Sequence, residues 1–125
     1  SERVAALRQY LPSRVTLGVS GDAWATAGLQ AGCEAWYSVC GGLFHRCSLA
    51  LVRAIRSGDV AQTAALNEQL APLWRCFDRY GGSLRVIASA AAVLGLCDPD
   101  SLPRPLLSLG EEGCREVASA LRGLA

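Results

Sequence analysis

The chain has 125 residues, a mass of 13.1 kDa and 51% hydrophobic residues, which is enough for one domain with a buried core. Its 12 basic and 11 acidic residues leave a net charge of +1, and the basic residues are scattered singly, so we expect no nucleic-acid partner. The longest uncharged apolar stretch, residues 86–97, is too short to cross a bilayer, so we expect no membrane partner. The start of the chain does not resemble a secretory signal, so we expect a cytoplasmic location.

Two short β-like segments lie near the front of the chain with one helical segment between them. Residues 2–11 are amphipathic, and Pro12 ends that helix. "VTLGV" (15–19) and "AWYSV" (35–39) are then predicted as strands. Because the connection between them is long enough for a crossover helix, the strands should be parallel neighbours.

The connecting segment "SGDAWATAGLQAG" carries signals for both ends of a helix. Ser20 or Asp22 is a candidate for the N-cap, and Gly32 is suited to a left-handed C-cap. After Gly42 the pattern is helical to the end of the chain.

The first of the later helices carries an apolar stripe of Leu49, Val52 and Ile55 with Leu51 beside it, and it ends at Gly58. The next begins with Asp59 and Gln62, which have the spacing of a capping box. Its core-facing positions follow at helical spacing and are Leu66, Leu70, Leu73 and Phe77. Pro72 is expected to kink this helix, and Gly81 and Gly82 to end it.

The last part of the chain contains two more helical segments. "SLRVIASAAAVLG" (83–95) is apolar on nearly every side, which predicts a buried helix. Residues 97–110 contain three prolines and are predicted to form an extended connection. The final helix should run from Glu111 to about Arg122, with Cys114, Val117 and Leu121 facing inward.

The six cysteines do not have the spacing of a metal site. Three of them recur every seven residues, the other three stand alone, no C-x-x-C occurs, and His45 is the only histidine. We interpret the cysteines as small, reduced, buried side chains, and His45 as a surface or capping residue. The sequence therefore predicts neither a metal nor another cofactor.

In this order, several segments resemble the C-terminal portion of the dihydrodipicolinate synthase and N-acetylneuraminate lyase family of class I aldolases. The segments are "VTLGVSGD", "AGCEAWYSV" with the following "GG", "RAIRSGDVAQTAALNEQLAPL", "VLGL" and "LPRPLLSL". Members of the family are (β/α)8 TIM barrels with extra C-terminal helices. The resemblance implies an α/β, predominantly helical fold that comprises the last two barrel strands plus C-terminal helices. Residues 1–45 would be the last β/α units, and residues 46–125 the C-terminal helical region of the same domain.

The resemblance also implies substrate-binding residues at the carboxyl ends of the two strands, where barrel enzymes have their active sites. They are Ser20, Gly21 and Asp22 after the first strand, and Tyr37 and Ser38 in the second. The first turn would line the part of the pocket that meets the distal portion of an aldehyde, and the second strand would lie against the imine carbon.

Two positions depart from the family pattern. Tyr37 stands where the synthases have a small aliphatic residue, and Ala23 stands where an acidic or polar residue is common. From the residues alone, a structural interpretation stays open, in which Ser20 or Asp22 caps a helix and Tyr37 fills the barrel. Arg104 matches a family position and is expected to anchor the C-terminal segment.

The twelve basic residues are all arginine. Members of the family bind a pyruvate-type substrate as an imine on a lysine at the end of the sixth strand, and arginine cannot supply that amine. We therefore expect no catalytic residue in this chain, which looks like an enzyme fragment that is inactive without the N-terminal part of the same enzyme. The expected partners are that part, a pyruvate-type substrate and further copies in a homo-oligomer. The alternative is a non-catalytic helical interaction module derived from this barrel.

Overall fold

A βαβ unit opens the fold and a group of packed helices follows it. The computed structural model describes residues 2–124. In chain order its elements are α1 (Glu2–Tyr10), β1 (Gly18–Ser20), α2 (Ala25–Gln30), β2 (Ala35–Tyr37), α3 (Cys40–Leu43), α4 (His45–Ser57), α5 (Val60–Arg79), α6 (Ser83–Val93) and α7 (Gly110–Leu121). A short 3-10 turn, Asp22–Trp24, leads into α2. The predicted order of elements is confirmed, and none of the helices within residues 2–124 has the length and apolarity that a bilayer span needs.

The two strands pair in parallel, as predicted, but each is shorter than expected. Gly18, Val19 and Ser20 lie opposite Ala35, Trp36 and Tyr37 in the register of the pair. The first strand begins at Gly18 and not at residue 15, and the Leu17 N–H before it donates to a Glu34 carboxylate oxygen at 3.0 Å instead of joining the ladder. The second strand ends early because residue 38 already belongs to the turn that starts α3.

The two faces of this strand pair have different surroundings. Val19 faces α2, where a Cβ on Gly28 would come within 2.5 Å of the Val19 Cβ. Trp36, its register partner, packs against the helical core. Because side chains alternate along a strand, Gly18, Ser20, Ala35 and Tyr37 share the opposite face. On that face Gly18, Ser20 and Tyr37 are exposed.

The buried members of the hydrophobic core come from the helices from α3 onward, and Trp36 of β2 packs against them. The twelve buried members are Cys40, Leu51, Ala54, Leu66, Leu70, Leu73, Cys76, Val86, Ala90, Val117, Ala120 and Leu121. Helix α5 contributes the most, and of its four predicted core positions Leu66, Leu70 and Leu73 are buried, whereas Phe77 is half-buried and packs against the core. Each fully buried leucine stabilises the fold by about 1.5–3 kcal/mol.

The junction between α4 and α5 forms as its sequence predicts. Gly58 has φ 73°, which a residue with a side chain rarely adopts. Its N–H donates to the Ile55 carbonyl at 3.1 Å, and the Asp59 N–H donates to the Ala54 carbonyl at 2.9 Å. The Asp59 carboxylate then accepts from the Gln62 N–H at 2.9 Å, so it caps α5. One helix therefore ends and the next begins with no intervening loop.

The predicted apolar stripe of α4 is wrong by one residue. Leu49 is 50% exposed, whereas the buried positions are Ser48, Leu51 and Ala54. Val52 and Ile55 are only half-buried, at the margin of the buried face. The face of α4 that packs on the core carries a serine and an alanine, which allow the neighbouring helices to approach closely. Which face is buried therefore depends on the neighbouring helices and not on hydropathy alone.

Exposure in α6 and α7 also differs from the expectation. Helix α6 is not buried on all sides, because Leu84 is 60% exposed while Val86 is fully buried. In α7 the inward positions Val117 and Leu121 are confirmed, whereas Cys114 is half-buried. Both helices therefore pack along one face only.

Helices α2, α3 and α5 differ in how fully the sequence predicts them. Gly32 follows α2 with φ 102° and donates its N–H to the Leu29 carbonyl at 3.1 Å, which confirms it as the residue that ends this helix. Helix α5 continues through Pro72 as one element. The sequence pattern did not predict α3, because its four residues are too few to show a periodicity.

The segment between α6 and α7 contains no helix or strand, but it is not extended throughout, because the Ser101 N–H donates to the Asp98 carbonyl and the Leu106 N–H to the Pro103 carbonyl, both at 3.1 Å. Its anchor also differs from the expected one. The contacts come from Arg85, which donates to the carbonyl oxygens of Leu107 at 2.8 Å and Ser108 at 3.1 Å. Arg104, the predicted anchor, is exposed. The guanidinium on α6 therefore ties down the connection from outside it.

We expect Leu70→Ala to destabilise the chain strongly, because Leu70 is fully buried at the centre of α5. Truncation of a buried leucine costs about 2–5 kcal/mol. Urea unfolding followed by circular dichroism measures this loss. Val60→Ala is the matched control, since Val60 is 79% exposed on the same helix and its truncation should change stability by less than about 0.5 kcal/mol. Equal effects of the two substitutions would contradict the position of the core.

Candidate functional site

The five predicted site residues lie together at the carboxyl ends of β1 and β2. Ser20 and Tyr37 are direct register partners at the last position of each strand. Gly21 and Asp22 continue from the first strand, and Ser38 continues from the second. The structure therefore brings these residues to one edge of the sheet, but it gives them different surroundings.

Asp22 is the buried member of the group, with 5% of its surface exposed. One carboxylate oxygen accepts from the Trp36 indole N–H at 3.1 Å, and the other accepts from the Cys40 backbone N–H at 2.9 Å. It makes no capping hydrogen bond to its own helical turn, so the prediction of an N-cap there is wrong. The carboxylate instead binds β2 and the first residue of α3, where an N–H group has no partner within the helix.

Ser38 also bonds within the protein. Its hydroxyl accepts from the Gly41 N–H at 2.7 Å, in the first turn of α3. A Cβ on Gly41 would lie 3.1 Å from this hydroxyl, so the glycine allows the close approach. Asp22 and Ser38 thus hold the same short helix from two sides.

Ser20 and Tyr37 point to the open face of the strand pair. Tyr37 is 65% exposed, and one edge of its ring covers the Cα of Gly18. Ser20 is exposed beside it. These two hydroxyls are the polar groups that the strand ends present outward.

Gly21 forms the sharp turn after β1. It has φ 89°, and its carbonyl accepts from the Trp24 N–H at 2.9 Å. The Trp24 side chain is 70% exposed and lies near Gly21, where a Cβ would come within 3.3 Å of its ring. A side chain at position 21 would be strained, so the turn requires glycine.

Cys40 belongs to the site region although its spacing did not single it out. It is fully buried, and its sulfur lies 3.9 Å from the Ser48 hydroxyl. Burial raises the pKa of the Cys40 thiol to about 12. The thiol is therefore protonated at neutral pH, and it supports the packing of α3 and does not act as a nucleophile.

The other candidates for chemistry are dispersed. All six cysteines are free thiols, and His45 is exposed at the start of α4. Over residues 2–124, no three side chains of histidine, cysteine, aspartate or glutamate come together as they would around a metal ion.

The amino ends of the strands are held by a second carboxylate. Glu34 accepts from the Leu17 N–H and pairs with Arg8 of α1, and the Arg8 guanidinium also donates to the Val15 carbonyl at 2.8 Å. The hydrogen bond from Leu17, together with the one from Arg8, lowers the pKa of Glu34. Arg56 of α4 reaches the Glu34 carbonyl at 3.2 Å. Strands and helices are therefore joined at both ends.

A groove of about 510 Å³ runs beside β1, between α1 and α2. Its wall is mainly apolar and includes Val4, Leu7, Leu17 and Trp24. In the described chain β1 pairs on one side only, with β2, so the groove follows its unpaired side.

Comparison with family models assigns residues 2–124 to the dihydrodipicolinate synthetase family. The chain belongs to this family. Among curated proteins, no significant match is found.

Solved structures from the family resemble the fold closely. The dihydrodipicolinate synthase of Agrobacterium tumefaciens str. C58 is 36% identical with a TM-score of 0.92, and the match covers 99% of this chain and 41% of that one. The 4-hydroxy-tetrahydrodipicolinate synthase of Methylacidiphilum fumariolicum SolV is 28% identical with a TM-score of 0.85, over 98% and 40%. A putative dihydrodipicolinate synthetase of Pseudomonas aeruginosa is 26% identical with a TM-score of 0.85, over 99% and 42%.

The chain therefore spans about two fifths of the length of these relatives. It matches the C-terminal portion of the family, which confirms the resemblance seen in the sequence. Its mostly helical α/β fold with two parallel strands corresponds to that part of the TIM barrel structures.

We expect Asp22→Ala to cost roughly 2–4 kcal/mol of stability, because it leaves the Trp36 and Cys40 donors without an acceptor and each unsatisfied buried donor costs about 1–3 kcal/mol. Asp22→Asn keeps one acceptor oxygen but turns an amide N–H toward the other donor, so it should also destabilise the chain. Urea midpoints measure both. Asp98→Ala, at an exposed aspartate, is the control and should be near neutral. An Asp22→Ala variant that is as stable as the unmodified chain would contradict this role of the carboxylate.

The raised pKa of the Cys40 thiol predicts a loss of stability in alkali. An unfolded thiol ionises near pH 8.5, whereas the folded Cys40 thiol stays protonated up to about pH 12. The contribution of this thiol to the free energy of unfolding is therefore complete below pH 8.5 and is lost as the pH rises between these values. Urea midpoints between pH 8 and 10 should fall less steeply for Cys40→Ala than for the unmodified chain. Val60→Ala, at an exposed residue without a titratable group, should keep the original slope. Identical slopes for all three proteins would contradict the burial of this thiol.

Proposed function

We propose that the chain forms the last two strands and the C-terminal helices of a pyruvate-dependent class I aldolase or lyase that resembles dihydrodipicolinate synthase. The observation that carries the proposal is the strand pair itself. One of its faces is covered by helices, and the other presents Gly18, Ser20, Ala35 and Tyr37 without a cover in the described chain. The interior of a (β/α)8 barrel is lined by such a strand face.

In this proposal the nucleophile comes from outside these 125 residues. The basic side chains here are all arginine, and a guanidinium does not form an imine with a keto acid at neutral pH. The amine is a lysine in the N-terminal part of the enzyme, next to β1 in the completed barrel. The chain alone is inactive, and the completed enzyme needs no cofactor, because the imine itself withdraws electrons from the bond that breaks.

The five site residues then share two tasks. Asp22 and Ser38, whose oxygens bond to α3, shape the wall of the pocket, and Gly21 allows the turn between strand and helix. Ser20 and Tyr37 present hydroxyls toward the substrate. The turn at residues 20–22 borders the aldehyde, and β2 borders the imine carbon.

The N-terminal part of the enzyme is the proposed partner of the groove beside β1. A strand placed there would pair with the unpaired side of β1 and cover the apolar wall of about 510 Å³ formed with α1. We further propose that the completed enzyme is a cytoplasmic homo-oligomer. Its substrate would be pyruvate or a related keto acid, with an aldehyde as the second reactant.

One observation favours a second function. The twelve buried residues of the hydrophobic core all lie in α3 to α7, and from the strands only the half-buried Trp36 packs against them, so most of the packed interior belongs to the helices. A non-catalytic interaction module built from these helices would fold without the rest of a barrel. It would not bind pyruvate in any assembly.

Trapping of the imine distinguishes the two functions. We expect the chain to associate with a separately produced N-terminal portion of the Agrobacterium tumefaciens synthase. The fold of the chain matches the C-terminal portion of that protein, which the separately produced portion lacks. Treated with pyruvate and borohydride, the assembly should give a reduced adduct, because borohydride reduces the imine to a stable amine. Mass spectrometry of peptides should place the adduct on a lysine of the N-terminal portion and on no internal residue of this chain.

The control for this experiment is the same assembly with Val19→Asp in this chain. Val19 packs against Gly28 between β1 and α2, so a charge there should prevent correct pairing and abolish trapping. Val60→Asp, at an exposed valine, should trap as well as the unmodified chain. An assembly without any adduct would favour the interaction module, and an adduct on an internal residue of this chain would contradict the proposed source of the nucleophile.

A further inference from the structure

Gly18 and Tyr37 fit each other on the open face of the strand pair. A Cβ built on Gly18 would lie 2.3 Å from Cε2 of the Tyr37 ring, 2.9 Å from Cδ2 and 3.2 Å from Cζ. The ring therefore lies on the bare backbone of Gly18, with Cε2 as the nearest atom. Because Cε2 is bonded to the carbon that carries the hydroxyl, the phenol end of the side chain reaches from β2 across to β1.

The direction in which the Tyr37 side chain extends sets the position of its hydroxyl along the strands. Tyr37 is the register partner of Ser20, but its ring lies over Gly18, two residues earlier in β1. It therefore leans away from the turn at residues 20–22 and toward the amino end of the strand pair. Tyr37 nevertheless remains 65% exposed, so a ligand on this face can reach it.

We propose, resting on the proposed function, that the Tyr37 hydroxyl donates a hydrogen bond to an oxygen of the keto-acid part of the substrate. The aldehyde borders the turn at residues 20–22, above the level of the phenol, whereas the imine lies deeper beside the strands. The small aliphatic residue of the synthases at this position cannot make such a bond. Gly18 acts as a positioning residue, because the ring reaches this place only over a backbone without a side chain.

This contact has a measurable consequence for keto-acid binding. A hydrogen bond to a charged group contributes about 1.5–3 kcal/mol, which corresponds to a tenfold or larger change in affinity. In the assembly with the N-terminal portion, the relevant quantity is the pyruvate concentration that gives half-maximal trapping by borohydride. The maximal extent of trapping reports the lysine and should not depend on Tyr37.

The test compares Tyr37→Phe, Gly18→Ala and their combination. We expect Tyr37→Phe to raise the half-maximal pyruvate concentration by about tenfold while the maximal extent is unchanged. Gly18→Ala should have a similar effect with the hydroxyl still present, because its Cβ displaces the ring. Since both changes remove the same contact, the double variant should be no weaker than the more impaired single variant. Tyr10→Phe, at a tyrosine on α1 that is 84% exposed, is the matched control and should change nothing.

The outcomes separate this inference from the function on which it rests. If Tyr37→Phe leaves the half-maximal concentration unchanged while trapping proceeds, the phenol only fills the barrel and the inference is wrong, although the proposed function stands. If Gly18→Ala alone leaves it unchanged, the positioning role of Gly18 is wrong. If the unmodified assembly traps no pyruvate, the proposed function fails and the inference fails with it. Circular dichroism of each variant shows that the fold is retained.

Discussion

The arrangement of the strand ends depends on one buried carboxylate. Asp22 leaves water almost completely, and such a charge is tolerated only when it is hydrogen-bonded. Its two bonds go to different segments, one to the Trp36 indole and one to the start of α3. The turn after β1, the second strand and the following helix therefore cannot move independently. Ser20 and Tyr37 project from a frame that Asp22 holds together.

Glu34 performs the corresponding task at the other end of the sheet. It accepts from the backbone of Leu17 and pairs with Arg8, so it joins α1 to both strands. Each strand has only three residues, and a ladder of that length holds little by itself. Carboxylates at both ends of the pair compensate for this. The open face lies between two points that are fixed by charge-assisted hydrogen bonds, which accounts for an ordered site on so small a sheet.

Short-range sequence patterns predicted the parts of this structure that depend on residues close together in the chain. The parallel strand pair followed from the length of its connection, and the capping of α5 by Asp59 followed from residue spacing. The partners of Asp22 could not be predicted, because Trp36 and Cys40 come near it only after the chain has crossed over to β2. For the same reason hydropathy selected Leu49 for the core of α4, whereas packing against neighbouring helices selected Leu51. The resemblance located the five site residues, but only the contacts separate those that bond within the protein from those that face outward.

The location of the core has a consequence for how this chain can change over evolutionary time. All twelve core residues lie in α3 to α7, and none comes from the strands or from the turn at residues 20–22. Substitutions such as a tyrosine on the open strand face, matched by a glycine beside it, can therefore arise with little effect on the interior that stabilises the chain. The packed core and the outward-facing side chains of the two strands therefore lie in different parts of the same small fold. This separation makes the strand ends evolvable, because new side chains can be tried there without first acquiring a compensating mutation in the core.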